Sequence, residues 1–315
     1  MNGLELSRAY FEECGLPMLR EQFPQLLPQL CAGLTGSGSE CYGYDDGISR
    51  DHDFEPGFCL FLPGEETIGR RDAFLLERAY DKLPREFRGL RRELMRPVGG
   101  SRRGVLRTAE FFREKAGTPD GRLTLAQWLS TPDPVLAEAV NGQIFFDGPG
   151  EVTRIRERLS AYPEDVRKKK LAGHLLLAAQ AGQYNYTRCI RHGETGAAQL
   201  AAVEFVRHGM QAVFLLNKTY MPYYKWSFRA MRALPRLSLL AELMEYLLTT
   251  DNSEDMARDK QDAMEGMAAD LIEELQRQQL TQAVCGDLEK HAYSVQDGIG
   301  DAEVRNLHIL AAISY

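Results

Sequence analysis

Two carboxylates, Asp51 and Asp53, stand one residue apart in the run Ser49-Arg50-Asp51-His52-Asp53-Phe54. Thirteen residues separate Asp51 from Ser37 of a small-residue turn, Gly36-Ser37-Gly38-Ser39. In an extended segment the period of two puts both carboxylates on one face, with Cα atoms roughly 7 Å apart, so the pair can share a hard cation. Magnesium binds through one or two carboxylates plus substrate phosphates and keeps several waters. Small residues at the end of an apolar strand let backbone N–H groups approach phosphate oxygens unobstructed. A phosphate cradle beside an Asp pair is a physical recipe for a site that handles a magnesium nucleotide. His52 falls on the other face of the segment, a packing position. Gly-Ser pairs and Asp-x-Asp are each common in turns, so the information lies in their order and spacing.

These residues need a scaffold, and the apolar patterning supplies one. Short strand-like runs occur at 31–34, 58–62, 104–108 and 143–146, with helical periodicity between them at 71–83, 87–94 and 110–115. Residues 3–30 carry helical spacing interrupted by Gly15, Pro17, Pro24 and Pro28, which predicts two short helices. The alternation predicts an α/β (α+β) domain with a small mixed sheet over 1–162. From Pro163 the strand signals stop. Long helical patterns at 166–180, 197–217, 227–249 and 253–281, and a closing helix from Asp301, predict an all-α helical-bundle domain over 163–315.

The chain has 315 residues, 44% hydrophobic and 26% charged, the composition of a folded globular protein. Its six cysteines are scattered without a C-x-x-C pair, which fits a reducing cytoplasm. Residues 1–20 lack the apolar run of a signal peptide, and no stretch approaches the roughly 20 apolar residues of a membrane span. The expectation is a cytoplasmic protein without a membrane anchor. A net charge of −7 argues against a surface built to neutralise a nucleic-acid backbone. Locally, eight arginines against two glutamates between Arg85 and Arg107 read as a solvated helix and loop or as a clamp for an anionic group. The run Arg167-Lys168-Lys169-Lys170 reads as an exposed helix face.

The second half offers a further constellation. On the helix at 197–217, Glu204, His208, Gln211 and the following Lys218 fall within a stripe about 80° wide, opposite Val203, Val206, Met210 and Val213. Lys218 is followed by Tyr220, Tyr223, Tyr224 and Lys225. Lysine is a flexible point charge suited to phosphates, and tyrosine can stack on a base. The same block also reads as a helix junction with snorkelling lysines. Glu204 is a candidate general base, although no motif assigns it.

An apolar residue, Gly-Ser, about a dozen residues, then Asp-x-Asp resembles the signature of the DNA polymerase β-like nucleotidyltransferase superfamily, which includes aminoglycoside adenylyltransferases and polynucleotide end-adding enzymes. The blocks Ser49 to Gly57, Gln127-Trp128-Leu129 and Asn217 to Trp226 resemble, more narrowly, a bacterial branch labelled domain of unknown function 4037. The resemblance implies a nucleotidyltransferase fold in which Gly36, Ser37 and Ser39 hold the triphosphate while Asp51 and Asp53 ligate Mg²⁺ or Mn²⁺. It further implies Lys218, Tyr220 and Lys225 closing over the nucleotide from the helical half. A third metal-binding acid commonly sits on a later strand of such proteins. Here the run at 104–108 has no carboxylate, leaving Glu110, Asp147 or none. The implied reaction moves a nucleoside monophosphate, AMP from ATP, to a hydroxyl or phosphate acceptor and releases pyrophosphate. The acidic pI favours a small molecule or protein as acceptor over nucleic acid. One alternative is a nucleotidyltransferase-like nucleotide-binding regulator or antitoxin-type partner without turnover; another is a helical interaction protein.

Overall fold

The computed structural model describes residues 1–46, 55–92 and 103–313. The chain divides into two compact units, residues 1–123 with 134–160, and residues 124–133 with 161–315. The segment 124–133 thus leaves its neighbours in sequence to join the second unit.

In the first unit, Asn2 and Glu5 cap α1 (Gly3–Tyr10) reciprocally, each side chain accepting the other's backbone N–H. A π-helical turn (Phe11–Gly15) leads directly into α2 (Leu16–Gln22). The two separated helices expected here are therefore one helical run. Pro17 follows the π-helical turn directly, and the wider turn accommodates it within the run. There follow β1 (Cys31–Leu34), β2 (Cys59–Leu62), α3 (Arg70–Asp81), β3 (Glu86–Phe87), β4 (Leu90–Arg91), β5 (Gly104–Arg107) and α4 (Thr108–Ala116). After α5 (Leu125–Ser130), which packs in the second unit, come α6 (Asp133–Val140), β6 (Gln143–Asp147) and α7 (Glu151–Leu159).

The sheet order is β5-β2-β1-β6, with β1 antiparallel to both neighbours and β2 parallel to β5. β1 and β2 are buried along their whole length, which is why they read as unbroken apolar runs. Gly33 is required where β6 crosses closely: a Cβ there would stand 2.6 Å from the Gln143 carbonyl oxygen. Tyr10, Phe11, Phe58, Leu60, Leu62 and Tyr80 form the heart of this unit's core. Burial of each such side chain contributes about 1.5–3 kcal/mol. Tyr80 adds a polar tie, its hydroxyl donating to the Phe58 carbonyl at 2.7 Å and accepting the Phe58 N–H at 3.0 Å.

The helix expected at 87–94 is instead a hairpin, β3 to β4, as far as Arg92; its last two positions lie outside the described residues. Arg88 and Gly89 both adopt positive φ, 53° and 78°, the backbone of a tight two-residue hairpin turn. The turn chemistry overrode the helical spacing.

The second unit is helical, with no strand among its described residues. Its elements are α5, α8 (Glu164–Ala178), a long π-helical segment (Ala179–Tyr186), α9 (Thr187–Arg191), α10 (Thr195–Leu216), α11 (Tyr224–Arg232), α12 (Leu240–Thr249), α13 (Glu254–Arg277), α14 (Leu288–Asp297) and α15 (Ala302–Asn306). α8 packs against α10 and α14. The single helix expected at 227–249 is split between α11 and α12 by a turn holding Pro235 and Leu237, the latter at φ 59°. α14 has no counterpart among the sequence expectations, and the closing helix is the short α15, capped by Asp301.

The run Arg167–Lys170 is corrected most clearly. Arg167, Lys169 and Lys170 are buried, because α8 is covered on several sides by neighbouring helices. Each buried cation has an oxygen partner: Leu215 O for Arg167 (3.0 Å), Gln296 Oε1 for Lys169 (3.0 Å) and Asp133 for Lys170 (3.8 Å). Among the described residues no helix is long and apolar enough to cross a membrane.

Candidate functional site

The Gly-Ser turn is built at the exit of β1. Gly36 lies at φ +130° with open space where a Cβ would be, so the backbone and not crowding calls for glycine. One side chain from 105 positions away holds it on both edges: Asn141 Oδ1 accepts the Gly36 N–H at 3.0 Å, and Asn141 Nδ2 donates to the Gly36 carbonyl at 2.7 Å. Thr35 Oγ1 donates to Glu138 O at 2.8 Å and lies 3.1 Å from Asn141 Oδ1. The Gly36 N–H is thereby committed to the protein, which moves any phosphate-facing role of this turn onto Ser37 and beyond.

Gly36 and Ser37 line a cavity of about 260 Å³ together with Thr35, Arg107, Glu110 and Lys115. Glu110 is in the first turn of α4. Arg107 Nη1 donates to the Pro63 carbonyl at 2.6 Å, and Lys115 Nζ donates to Glu138 at 2.8 Å. The sheet unit thus places a lysine beside its Gly-Ser turn. Sequence distance hid this, since Lys115 is 78 positions beyond Ser37.

Ser39 opens a 3-10 turn (Ser39–Tyr42) that points Glu40 inward. Glu40 is buried and pairs with the Arg103 guanidinium at 2.9 Å. The same guanidinium donates to the Glu55 carbonyl at 2.9 Å and lies 3.4 Å from the Glu55 carboxylate. Burial works against the Arg103 charge, but Glu40 and Glu55 outweigh it and hold the guanidinium protonated. Arg103 therefore ties the turn just after Ser39 to the strand entry just after Asp53. Asp51 and Asp53 themselves lie outside the described residues.

Asp147 is placed elsewhere. It pairs with Cys31 at the start of β1, the end away from Gly36. Its Oδ2 accepts the Thr153 N–H at 2.8 Å and the Thr153 hydroxyl at 2.7 Å, a cap on the first turn of α7. Of the two carboxylates named for a third metal position, Glu110 shares the cavity with Gly36 and Ser37, whereas Asp147 serves α7. Among the described residues no three His, Cys, Asp or Glu side chains are grouped to hold a metal ion.

Several of the other arginines from Arg85 to Arg107 that are described are engaged within the protein. Arg88 pairs with Glu13, and Arg92 donates to Tyr80 O (3.1 Å) and Asp81 O (2.8 Å). The clamp reading thus loses these cations, and Arg96 and Arg102 lie outside the described residues.

The helical unit's residues have separate surroundings. Glu204 is half exposed on α10, 3.3 Å from His208 Nε2 and 3.8 Å from Arg207. His208 is buried, so the polar stripe of α10 faces the unit's interior in part, while Val203 opposite it is 38% exposed. Lys218, at φ 54°, lies 3.8 Å from Glu164. Lys225 sits over the Trp226 ring, 4.9 Å from its centroid. Tyr220 is buried edge-on against Tyr162, with ring centroids 4.8 Å apart, and burial followed by the nearby Asp133 charge pushes its hydroxyl well above the usual tyrosine range. Tyr223 and Tyr224 are exposed. Asp133 is the polar centre of this packing: it accepts the Tyr162 hydroxyl at 2.7 Å and the Met221 N–H at 3.4 Å, with Lys170 at 3.8 Å. Nothing local in the sequence marked Asp133, whose partners are 29 and 88 positions away by hydrogen bond.

The molecule is thus a mixed α/β unit with a small mixed sheet and a cavity at its Gly-Ser turn, joined in sequence to a helical unit. Residues 128–227 match the model of a family described as "Domain of unknown function (DUF4037)". The matched stretch includes Asp133, Lys170, Glu204, His208 and Lys218, and ends before α12. No curated protein and no solved structure matches the chain.

Proposed function

We propose that this protein is a magnesium-dependent nucleotidyltransferase of the cytoplasm, moving AMP from ATP to a hydroxyl or phosphate on a small molecule or protein. The observation that carries the reading is Arg103, whose guanidinium bonds Glu40 and Glu55 and so joins the flanks of the two chemical halves of the sequence motif. The cavity lined by Gly36, Ser37, Glu110 and Lys115 supports it.

Asp51 and Asp53, with Glu110 as the third acid, would supply an all-oxygen donor set suited to Mg²⁺ or Mn²⁺. When bound, the metal supplies positive charge at the transferring phosphate and lowers the pKa of an attacking hydroxyl. The chain's own contribution is positional. The Ser37 end of the turn orients the phosphates, Lys115 adds a cation beside them, and Asn141 keeps the turn rigid. The acceptor oxygen attacks the α-phosphorus as its bond to the pyrophosphate oxygen breaks, and the acceptor's proton passes to a carboxylate or solvent.

The test is incubation with labelled ATP, CTP, GTP or UTP, Mg²⁺ or Mn²⁺ and a fractionated cell extract. Label should move to one fraction with release of pyrophosphate, and Asp51→Asn or Asp53→Asn should abolish the transfer while the fold is kept. Undiminished metal-dependent nucleotide binding by the double variant, measured calorimetrically, would sink the metal assignment. One observation favours a second reading, a nucleotide-binding regulator without turnover: β5 presents Val105, Leu106 and Arg107 to the cavity and no carboxylate. Nucleotide binding without pyrophosphate release in any extract would select it.

A further inference from the structure

The corner at residues 140–142, where α6 runs into β6, is held from three sides. Arg156 on α7 reaches it with one nitrogen: Nη2 donates to the carbonyls of Val140, the last residue of α6, and of Asn141 after it. The Gly142 N–H donates to Cys41 O at 2.8 Å. Gly142 itself lies at φ +66°, and a Cβ there would stand 1.9 Å from Leu34 O, so the corner is pressed against the exit of β1. From the middle of this corner the Asn141 side chain crosses to the Gly-Ser turn.

Two features give the arginine contact its meaning. The titratable groups that act on Arg156 are the thiols of Cys31 and Cys41, and no carboxylate does so among the described residues. Its charge meets instead the carbonyl end of α6, where orphan C=O groups carry the negative end of the helix dipole. The contact is therefore set by direction, with both Nη2 hydrogens aimed at neighbouring oxygens. The second feature is what those oxygens belong to. A peptide carbonyl fixed by a hydrogen bond fixes the Cα beside it, and the short Asn141 side chain, with two torsions, has little reach to make up for a displaced Cα. Its amide must also meet Gly36 at two points, Oδ1 accepting the N–H at 3.0 Å and Nδ2 donating to the carbonyl at 2.7 Å. A two-point grip tolerates less displacement than a single bond.

We propose that Arg156 is a positioning residue for the Gly-Ser turn: by holding the Val140 and Asn141 carbonyls it aims the Asn141 amide at Gly36, and so sets the backbone presented to phosphate from Ser37 onward. The functional half of this inference rests on the nucleotide reading of the turn. Arg156 acts through Asn141, which is 15 positions from it and 105 from Gly36.

Two measurements on the full chain test this. Arg156→Met keeps most of the apolar length and removes every donor. The Gly36 amide should then exchange about tenfold faster than in the parent, the weight of roughly one hydrogen bond, while the β1–β2 ladder amides keep their rates. By calorimetry, Mg-ATP affinity should fall about tenfold in Arg156→Met, but only about twofold when the same change is made in an Asn141→Ala background, because the arginine's effect passes through that side chain. Arg156→Lys retains a cation with donors and should stay within about threefold of the parent in both readouts. Should Arg156→Met not fold, Arg156→Gln, whose shorter arm leaves one carbonyl unheld, takes its place with the same direction of effect. An unchanged Gly36 exchange rate overturns the proposal, as does an Mg-ATP affinity that is unmoved or that falls equally far in the Asn141→Ala background. A parent that binds no Mg-ATP fails the nucleotide reading alone, and Gly36 exchange still decides whether Arg156 sets the turn.

Discussion

In the sheet unit the buried guanidinium of Arg103 meets two carboxylates, Glu40 at 2.9 Å and Glu55 at 3.4 Å. In the helical unit Lys260, with no exposed surface, donates to three uncharged oxygens: Gln199 Oε1 at 2.7 Å, Asn252 Oδ1 at 2.9 Å and Thr250 O at 3.0 Å. A guanidinium between two acids fastens chain segments by charge, and it does so beside the motif. An ammonium among three dipoles fastens them by direction, one acceptor for each N–H, and adds no counter-charge. The two solutions differ most in what remains when the cation is removed. Two acids are left confronting each other in the first case, and three neutral acceptors that water can satisfy in the second.

The sharpest way to break the comparison is Arg103→Met. It strands the buried Glu40 beside the partly buried Glu55 as like charges and should destabilise the sheet unit by ~3–5 kcal/mol, read from urea unfolding of that unit. A loss under ~1 kcal/mol would mean the clamp is not a charge device. Lys260→Met should cost the helical unit less, ~1–3 kcal/mol, for the loss of the ammonium's three hydrogen bonds, because Gln199 Oε1 and Asn252 Oδ1 keep the donors Asn252 Nδ2 and Tyr186 Oη. Equal losses in the two variants would erase the distinction. Gly36→Ala should cost ~1–2 kcal/mol from backbone strain alone, because its φ of +130° is hostile to a side chain although the space is open. A neutral or stabilising result, with the Asn141 amide resonances unchanged, would show that the turn relaxes freely.

The smallest effect expected is a pH response at Lys169, whose ammonium burial pulls down to about 8. Its folded value lies below the unfolded one near 10.4, so holding the proton is unfavourable below about pH 8, and the helical unit should gain stability as pH rises from there toward 10. A neutral amine still has two N–H groups for its two acceptors, Gln296 Oε1 and Leu307 O. The difference between urea midpoints at pH 7.5 and 9.5 should shrink in Lys169→Met. An unchanged difference would assign the response to another group.

Much of the scaffold could be read from local pattern. The four strands of the main sheet fall within a residue of the apolar runs: β1 and β2 are fully buried and need continuous apolar sequence, and the flanking, partly buried β5 and β6 still stand out between glycine and polar residues. The long helices α3, α10 and α13 likewise follow their periodicity. Where local signals compete, tertiary context chose between them. The 86–91 segment folded as a hairpin through the positive φ of Arg88 and Gly89, and three of the four cations from Arg167 to Lys170 were buried because helices close over α8 from several sides.

By itself the sequence determined the four strands of the main sheet and several of the long helices, the switch from mixed sheet to helices, and the spacing of Gly36-Ser37 and Asp51-x-Asp53, since each depends on residues within a few turns of one another. Only the tertiary structure decided that Asn141 grips Gly36, that Lys115 and Glu110 share its cavity, that Arg103 binds Glu40 to Glu55, and that His174 meets His208. Those pairings join positions 34 to 105 residues apart, or are set by which helix covers which strand. Hydrophobic periodicity specifies which face of an element is buried, but the partner it meets there depends on the path of the whole chain.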